Sequence, residues 1–268
     1  MSYNRIVPNL SNEAYHSDKE AVSNSQLGRL AESPAKFFDP FEPSADMIFG
    51  TLIHAIMLEP ETFTDVAAIM PPGLNKGTGM KERVKQFHAQ NPGKHVISTE
   101  DFEELVLIRK ELLNHPIAGP LLAYPGRTEH SIFWEDEETG VKCRCRPDYW
   151  RDDGIVLDLK KTRDASTWGF SKSVWDYGYD RQSAMYSDGI KAVTGEYPQA
   201  FVFIAIEPKT DWVRIECHNA EEDVLSTGRT RYRRLLKTYK QCKEANVWPK
   251  YMDPQIHKLR LPNYAKVD

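Results

Sequence analysis

The chain has 268 residues, 40% of them hydrophobic, and a formal net charge of -4. That length can bury a substantial core, and we expect residues 1–268 to form a single domain. No apolar run is long enough to span a membrane and Met1-Ser2-Tyr3-Asn4-Arg5 leads into no signal-peptide core, so membrane and secreted classes are set aside and the cytoplasm is the expected location.

Ser23-Asn24-Ser25 ahead of Gln26-Leu27-Gly28-Arg29-Leu30 predicts an N-cap with a short helix behind it, which Ser33-Pro34 ends or restarts. Phe49 to Leu58 has apolar residues at helical spacing, with Glu59-Pro60-Glu61 at its exit. Turn formers crowd Pro71-Pro72-Gly73-Leu74-Asn75-Lys76-Gly77-Thr78-Gly79, so 71–80 is expected to be a mobile loop able to close over a substrate. Ser98-Thr99 caps a predicted helix to about Asn114, with Leu105, Ile108 and Leu112 on its buried side.

Strands are then predicted over 129–135, 141–148, 155–160, 201–206 and 212–217, the last two around the turn-like Glu207-Pro208-Lys209-Thr210-Asp211. A helix from about Trp175 to Val193, closed by Gly195, separates the two groups. Asn219 and Glu222 have the spacing of a capping box, opening a long helix to about Ala245. The expected fold is α/β: a mixed central sheet of about five strands flanked by helices, with the candidate site at the ends of central strands. Four cysteines, Cys143, Cys145, Cys217 and Cys242, form no C-x-x-C pair, and Cys143 and Cys145 share a strand face that points into the core.

Basic residues gather at Lys81-Arg83-Lys85, at Lys160-Lys161-Arg163 and along Arg229 to Arg234 with Lys237 and Lys240, while acidic residues dominate 99–104 and 135–138. Such segregation suits a basic channel for DNA behind an acidic exterior, and it equally suits solvated helix faces.

The chemistry concentrates at Asp158-Leu159-Lys160, which closes the apolar run Ile155-Val156-Leu157. Alternation along a strand sends Asp158 and Lys160 to one side. The turn formers Asp152-Asp153-Gly154 can fold this strand back on the preceding one and bring Asp148 close to Asp158. Two carboxylates and a lysine about one point are what phosphodiester hydrolysis needs: Asp148 and Asp158 hold Mg²⁺, which activates water, and Lys160 orients that water and offsets negative charge. A solvated ion pair at a strand end has the same spacing.

The pattern Pro147-Asp148 followed by Asp158-Leu159-Lys160 resembles the PD-(D/E)xK nuclease superfamily. The segment Trp134 to Asp148 is similar to the RecE-type exodeoxyribonucleases, which are related to phage lambda exonuclease and the RecB nuclease domain. Asn12-Glu13-Ala14-Tyr15-His16, Gly50-Thr51-Leu52-Ile53-His54 with Leu58-Glu59-Pro60-Glu61, and Gln182 with Tyr186-Ser187-Asp188-Gly189 agree in order.

The resemblance implies His54 as a third metal ligand, with Gly50 leaving room beside it, and an imidazole in the set suits Mn²⁺ as well as Mg²⁺. It implies that Gln182 bonds the scissile phosphate or attacking water and that Tyr186 contacts a sugar or base. Ser25 at a helix start resembles a serine that receives a 5′ phosphate, and Arg146 can help there. Glu129 resembles a recurring family glutamate, although spacing gives no reason to make it a ligand. Lys161, where threonine is usual, and Tyr179-Asp180-Arg181-Gln182 depart from the pattern.

What the resemblance implies overall is an exonuclease in a bacterial host that resects double-stranded DNA ends 5′ to 3′. It would work as a homo-oligomeric ring, tetramer or trimer, with a RecT-like single-strand annealing protein as partner. A PD-(D/E)xK endonuclease and a non-catalytic DNA-end-binding module remain alternatives.

Overall fold

The structure, a computed structural model, describes residues 3–40, 42–209, 212–250, 256 and 258–260. Thr210 and Asp211 of the expected turn lie outside them. In chain order come β1 (Arg5–Val7), α1 (Asn12–Ser17), α2 (Asn24–Glu32), a 3-10 turn (Pro34–Phe38) and α3 (Ala45–Leu58). There follow α4 (Phe63–Val66), β2 (Ala67–Ile69), α5 (Met80–Gln90), β3 (His95–Ile97), α6 (Thr99–Asn114) and α7 (Ala118–Ala123). The second half holds β4 (Gly126–Thr128), β5 (Ser131–Glu135), β6 (Lys142–Cys145), β7 (Tyr149–Arg151) and β8 (Ile155–Lys161). It closes with α8 (Thr167–Tyr177), α9 (Tyr179–Thr194), β9 (Ala200–Pro208), β10 (Val213–Asn219) and α10 (Glu222–Ala245).

Local chemistry explains several boundaries. At α2 a capping box forms: Ser23 Oγ accepts from Gln26 N at 3.4 Å and Gln26 Oε1 accepts from Ser23 N at 3.0 Å. Ser98 and Asp101 do the same for α6, whose Leu105, Ile108 and Leu112 are fully buried. Between Pro71 and Gly79 the backbone runs through turns, and Arg83 on α5 donates to the carbonyls of Thr78 at 2.7 Å and Lys76 at 2.6 Å.

A mixed five-stranded sheet, in the order β10-β9-β8-β7-β4, carries the fold. Its β8 and β9 are parallel and joined by the crossover through α8 and α9, while the other pairs are antiparallel. One face, with Leu157, Leu159, Ile204 and Ile206, packs on α3 and α6; the other, with Val156, Phe201 and Phe203, packs on α9 and α10. Burial on both faces explains the apolar runs Ile155-Val156-Leu157 of β8 and Ala200 to Ile206 of β9.

Strand membership differs from expectation. The predicted strand 129–135 starts two residues late, as β5, because Glu129, with a φ of 50°, is out of the extended region; the unpredicted β4 just before it joins the five-stranded sheet and β5 does not. The predicted strand 141–148 ends early, at Cys145, ahead of Pro147, which cannot donate to a ladder; β6 stays in one sheet and the unpredicted β7, just beyond, lies in another. A separate three-stranded sheet, β1-β5-β6, carries the buried Cys143 and Cys145, and β2 and β3 pair as a two-stranded sheet of their own.

The helix expected from Trp175 begins earlier, at Thr167, and divides at Gly178, where φ is 71°. No capping box forms at Asn219, because that residue still belongs to β10; its side chain donates to Glu221, the N-cap of α10.

Candidate metal centre

Both boundaries have a chemical product. Glu129 and Asp148 stand where the chain passes between the two sheets, and Glu129 N donates to the Asp148 carbonyl at 3.3 Å, tying the corners together. The hairpin of β7 and β8 pairs Tyr149 with Leu157, which sets Asp148 beside the middle of β8. There Asp148 Oδ2 accepts from Leu159 N at 2.8 Å.

The third element is α3. His54 Nε2 lies 2.9 Å from the Leu159 carbonyl oxygen, and since a carbonyl only accepts, Nε2 carries the proton. Nδ1 then faces Asp148 Oδ1 at 3.5 Å, and in the neutral ring it is a lone pair. Two acceptors facing each other at this distance are stable only with a cation or proton between them, and a backbone carbonyl fixing the ring is the usual outer support of a metal-binding histidine. A Cβ at Gly50, one turn before His54, would meet nothing within 4 Å, so space is open there.

Ligand atoms of His54, Glu129 and Asp148 all lie within 4.8 Å of one another. Glu129 thus joins His54 and Asp148 in this group, while Asp158, the third metal residue expected from the sequence, stands next to it. The side-chain pattern held no sign of Glu129, because a left-handed corner sets its direction rather than strand alternation. Burial and then the neighbouring Asp148 push the Glu129 carboxyl up to about 8, against the pull of Arg146.

Asp158 lies beside this group, on the β8 face turned to α9. It is fully buried, and burial followed by Asp148 raises its carboxyl to about 6 despite Lys160. Gln182 Nε2 donates to Asp158 Oδ2 at 2.6 Å, and Lys160 pairs with Oδ1, which accepts no well-directed hydrogen bond from the described residues. Burial opposes the charge on Lys160, but Asp158 and Asp148 outweigh it and the ammonium is held charged. The Tyr179 ring covers Lys160 with its centroid 4.9 Å from Nζ. Buried carboxylates that stand close enough to raise one another beyond the effect of burial, and an imidazole nitrogen turned towards one of them, fit a divalent cation.

The remaining predicted residues are more dispersed. Tyr186 is half-buried with its ring against Phe201, and Gln182, which faces inward, holds Asp158. Ser25 is exposed in the first turn of α2, 3.0 Å from Ser23 Oγ. Arg146 donates to Ser131 Oγ at 2.9 Å, Asn12 Oδ1 at 2.6 Å and the Leu10 carbonyl at 2.9 Å, and lies 3.8 Å from Glu129, so it braces the corner.

Much of the basic run on α10 is also engaged internally. Arg229 meets Asp188 at 2.8 Å, Arg231 meets Asp180 at 2.7 Å, Arg233 reaches Asp136, Glu138 and Asp188, and Lys237 meets Glu138 at 2.6 Å. These cations fasten α10 to α9 and to the turn after β5, so each already has a carboxylate partner within the fold.

A mixed sheet with helices on both faces and an acidic pair plus lysine on central strands defines the PD-(D/E)xK class of fold. A family model described as a PDDEXK-like domain of unknown function (DUF3799) matches residues 23–256. The chain belongs to that family. Among solved structures, the "putative exonuclease" of Eubacterium rectale is similar with a TM-score of 0.58 and 16% identity, over 91% of this chain and 96% of that one. A second, SSO0001, has a TM-score of 0.31 at 12% identity, over 82% of this chain and 91% of that one, too low a likeness to carry an argument. Comparison with curated proteins gives no match. Among the described residues, no helix is long and apolar enough to cross a membrane.

Proposed function

We propose that the protein is a metal-dependent exodeoxyribonuclease that degrades double-stranded DNA from its ends, 5′ to 3′, and leaves 3′ single strands for recombination by annealing. The observation that supports hydrolysis is the meeting of His54, Glu129, Asp148, Asp158 and Lys160 at the corner of two sheets. End dependence, direction, the homo-oligomeric ring, tetramer or trimer, the RecT-like partner and the bacterial cytoplasm rest on the sequence resemblance to RecE-type enzymes.

His54, Glu129, Asp148 and Asp158 would hold Mg²⁺, or Mn²⁺ in its place, and the bound metal would polarise the scissile phosphate and lower the pKa of a water. The chain's own residues do the rest. Lys160, kept charged by its carboxylate neighbours, offsets negative charge as the phosphate becomes five-coordinate. Gln182 holds Asp158 in register, and the Leu159 backbone orients both Asp148 and His54. Tyr186 and Ser25 are proposed DNA contacts, and the 71–80 segment is proposed to close over the duplex.

The test is a time course on linear duplex with a 5′ phosphate or 5′ hydroxyl, beside covalently closed plasmid, with magnesium or a chelator. Magnesium-dependent loss of linear DNA from its 5′ ends, with the plasmid intact, is the expected result. Cutting of the closed circle would make the protein an endonuclease, and end binding without degradation would make it a non-catalytic module.

A further inference from the structure

Arg181 is 7% exposed, and its Nε and Nη1 have no hydrogen-bond partner among the described residues. A guanidinium cannot shed its proton at any pH a folded protein experiences, so a buried one without an acceptor is an uncompensated charge. Its charged neighbours do not settle the matter. Burial and then Arg231 weaken its hold on the proton, and Asp180 acts in the opposite sense. Asp180 already gives Oδ2 to Arg231 at 2.7 Å, and its Oδ1 is itself without a hydrogen-bond partner.

The surroundings are shaped to keep this side chain where it is. A Cβ at Gly178 would lie 2.3 Å from Nη2 and 2.5 Å from Nε, and one at Gly28 on α2 would lie 3.4 Å from Nη2. The guanidinium thus folds back over Gly178, the N-cap of the 16-residue α9, where no side chain caps the first turn. A helix start carries partial positive charge; α8 ends on the same Gly178 and its last carbonyls offset part of it, so the full charge of Arg181 is what favours an anion there. The same turn serves the metal centre: Tyr179 covers Lys160 and Gln182 holds Asp158.

We propose that Arg181 and the first turn of α9 receive a phosphate of the DNA strand being degraded, beside the one attacked at the metal centre. The proposal rests on the nuclease reading and adds a second phosphate contact to it. It also gives a role to a residue in the stretch Tyr179 to Gln182, which departs from the RecE-type pattern.

The test is fluorescence anisotropy of a labelled short duplex, carrying a 5′ phosphate or a 5′ hydroxyl, titrated with wild type, Arg181→Met and Arg181→Gln in chelator across a range of salt. Loss of one phosphate contact predicts roughly tenfold weaker binding at low salt and a log-log salt slope shallower by about 0.9. Melting temperature should hold or rise, because an unpaired buried charge has gone, whereas a merely structural arginine would lower it. Equal loss on both duplexes makes the occupant an internal phosphate, and loss on the phosphorylated duplex alone makes it the terminal one. Variants with wild-type affinity and slope overturn the proposal, and Arg181→Gln decides it should Arg181→Met fail to fold. If wild type cleaves DNA while the variants match it, this proposal alone falls; if wild type binds no DNA, the nuclease reading falls with it.

Discussion

His54 on α3 donates from Nε2 to the carbonyl oxygen of Leu159 on β8, 2.9 Å away, and this bond decides which imidazole nitrogen faces the acidic cluster. The same peptide segment offers Leu159 N to Asp148, so one residue of the central strand orients two candidate ligands. Because the acceptor is backbone, no substitution at Leu159 removes it, and the histidine must be tested at its own position. His54→Phe keeps the apolar contacts of α3 and removes Nδ1. We expect Mn²⁺ affinity, measured by isothermal titration, to fall roughly 10- to 100-fold.

Asp158→Asn and Lys160→Ala should each lower the rate of duplex degradation by about 10²-fold or more, since both remove charge that acts on the reacting phosphate. Asp158→Asn preserves size and an acceptor for Gln182, so its circular dichroism and melting curve should remain those of a folded protein. Full activity in a folded variant would contradict the assignment.

The raised carboxyls fix a pH dependence. Glu129, near 8, and Asp158, near 6, both lie above their unfolded values. Their contribution to the metal-free protein is therefore fully present below the unfolded carboxylate range and is lost as pH rises through about 6 and then about 8. A bound divalent cation relieves that loss. Thermal melts should show Mn²⁺ stabilising the protein more at alkaline than at acidic pH, and Glu129→Gln should flatten the metal-free profile across its upper part.

Arg229 and Arg233 converge on Asp188, which also accepts from the Tyr232 hydroxyl. Arg233→Ala should cost roughly 1–3 kcal/mol in urea unfolding by stripping partners from buried carboxylates. The salt slope of DNA binding should stay at the wild-type value. A shallower slope would make α10 part of the DNA channel.

Gly228 marks the closest approach of α10 to α9, where a Cβ would lie 1.9 Å from the Asp180 carbonyl oxygen. Gly228→Ala must separate the two helices and should destabilise the protein by about 1–3 kcal/mol. Since Asp180 lies two residues before Gln182, its activity should fall as well.

The sequence made some of this plain. Asp152-Asp153-Gly154 between two strand-like runs marked the hairpin that brings Asp148 to β8, and the Ser98 cap and the Leu105, Ile108, Leu112 spacing marked α6. Local pattern could not show that the chain changes sheets at Glu129 and Pro147, since alternation reads the same whichever partner a strand finds. That blindness left Glu129 known by its family resemblance alone, with no geometric reason to count it as a candidate ligand. The internal pairing of the basic run of α10 was hidden for a related reason: composition records charge and is silent about the carboxylates of α9 that meet it.

The central claim is that a divalent cation sits among His54, Glu129, Asp148 and Asp158. Anomalous diffraction from crystals grown with Mn²⁺ tests it most directly. We predict a single strong peak within coordination distance of His54 Nδ1 and of Asp148, with Glu129 or Asp158 completing the set. Ordered side chains in the arrangement described above, with no peak between them at saturating Mn²⁺, would contradict it.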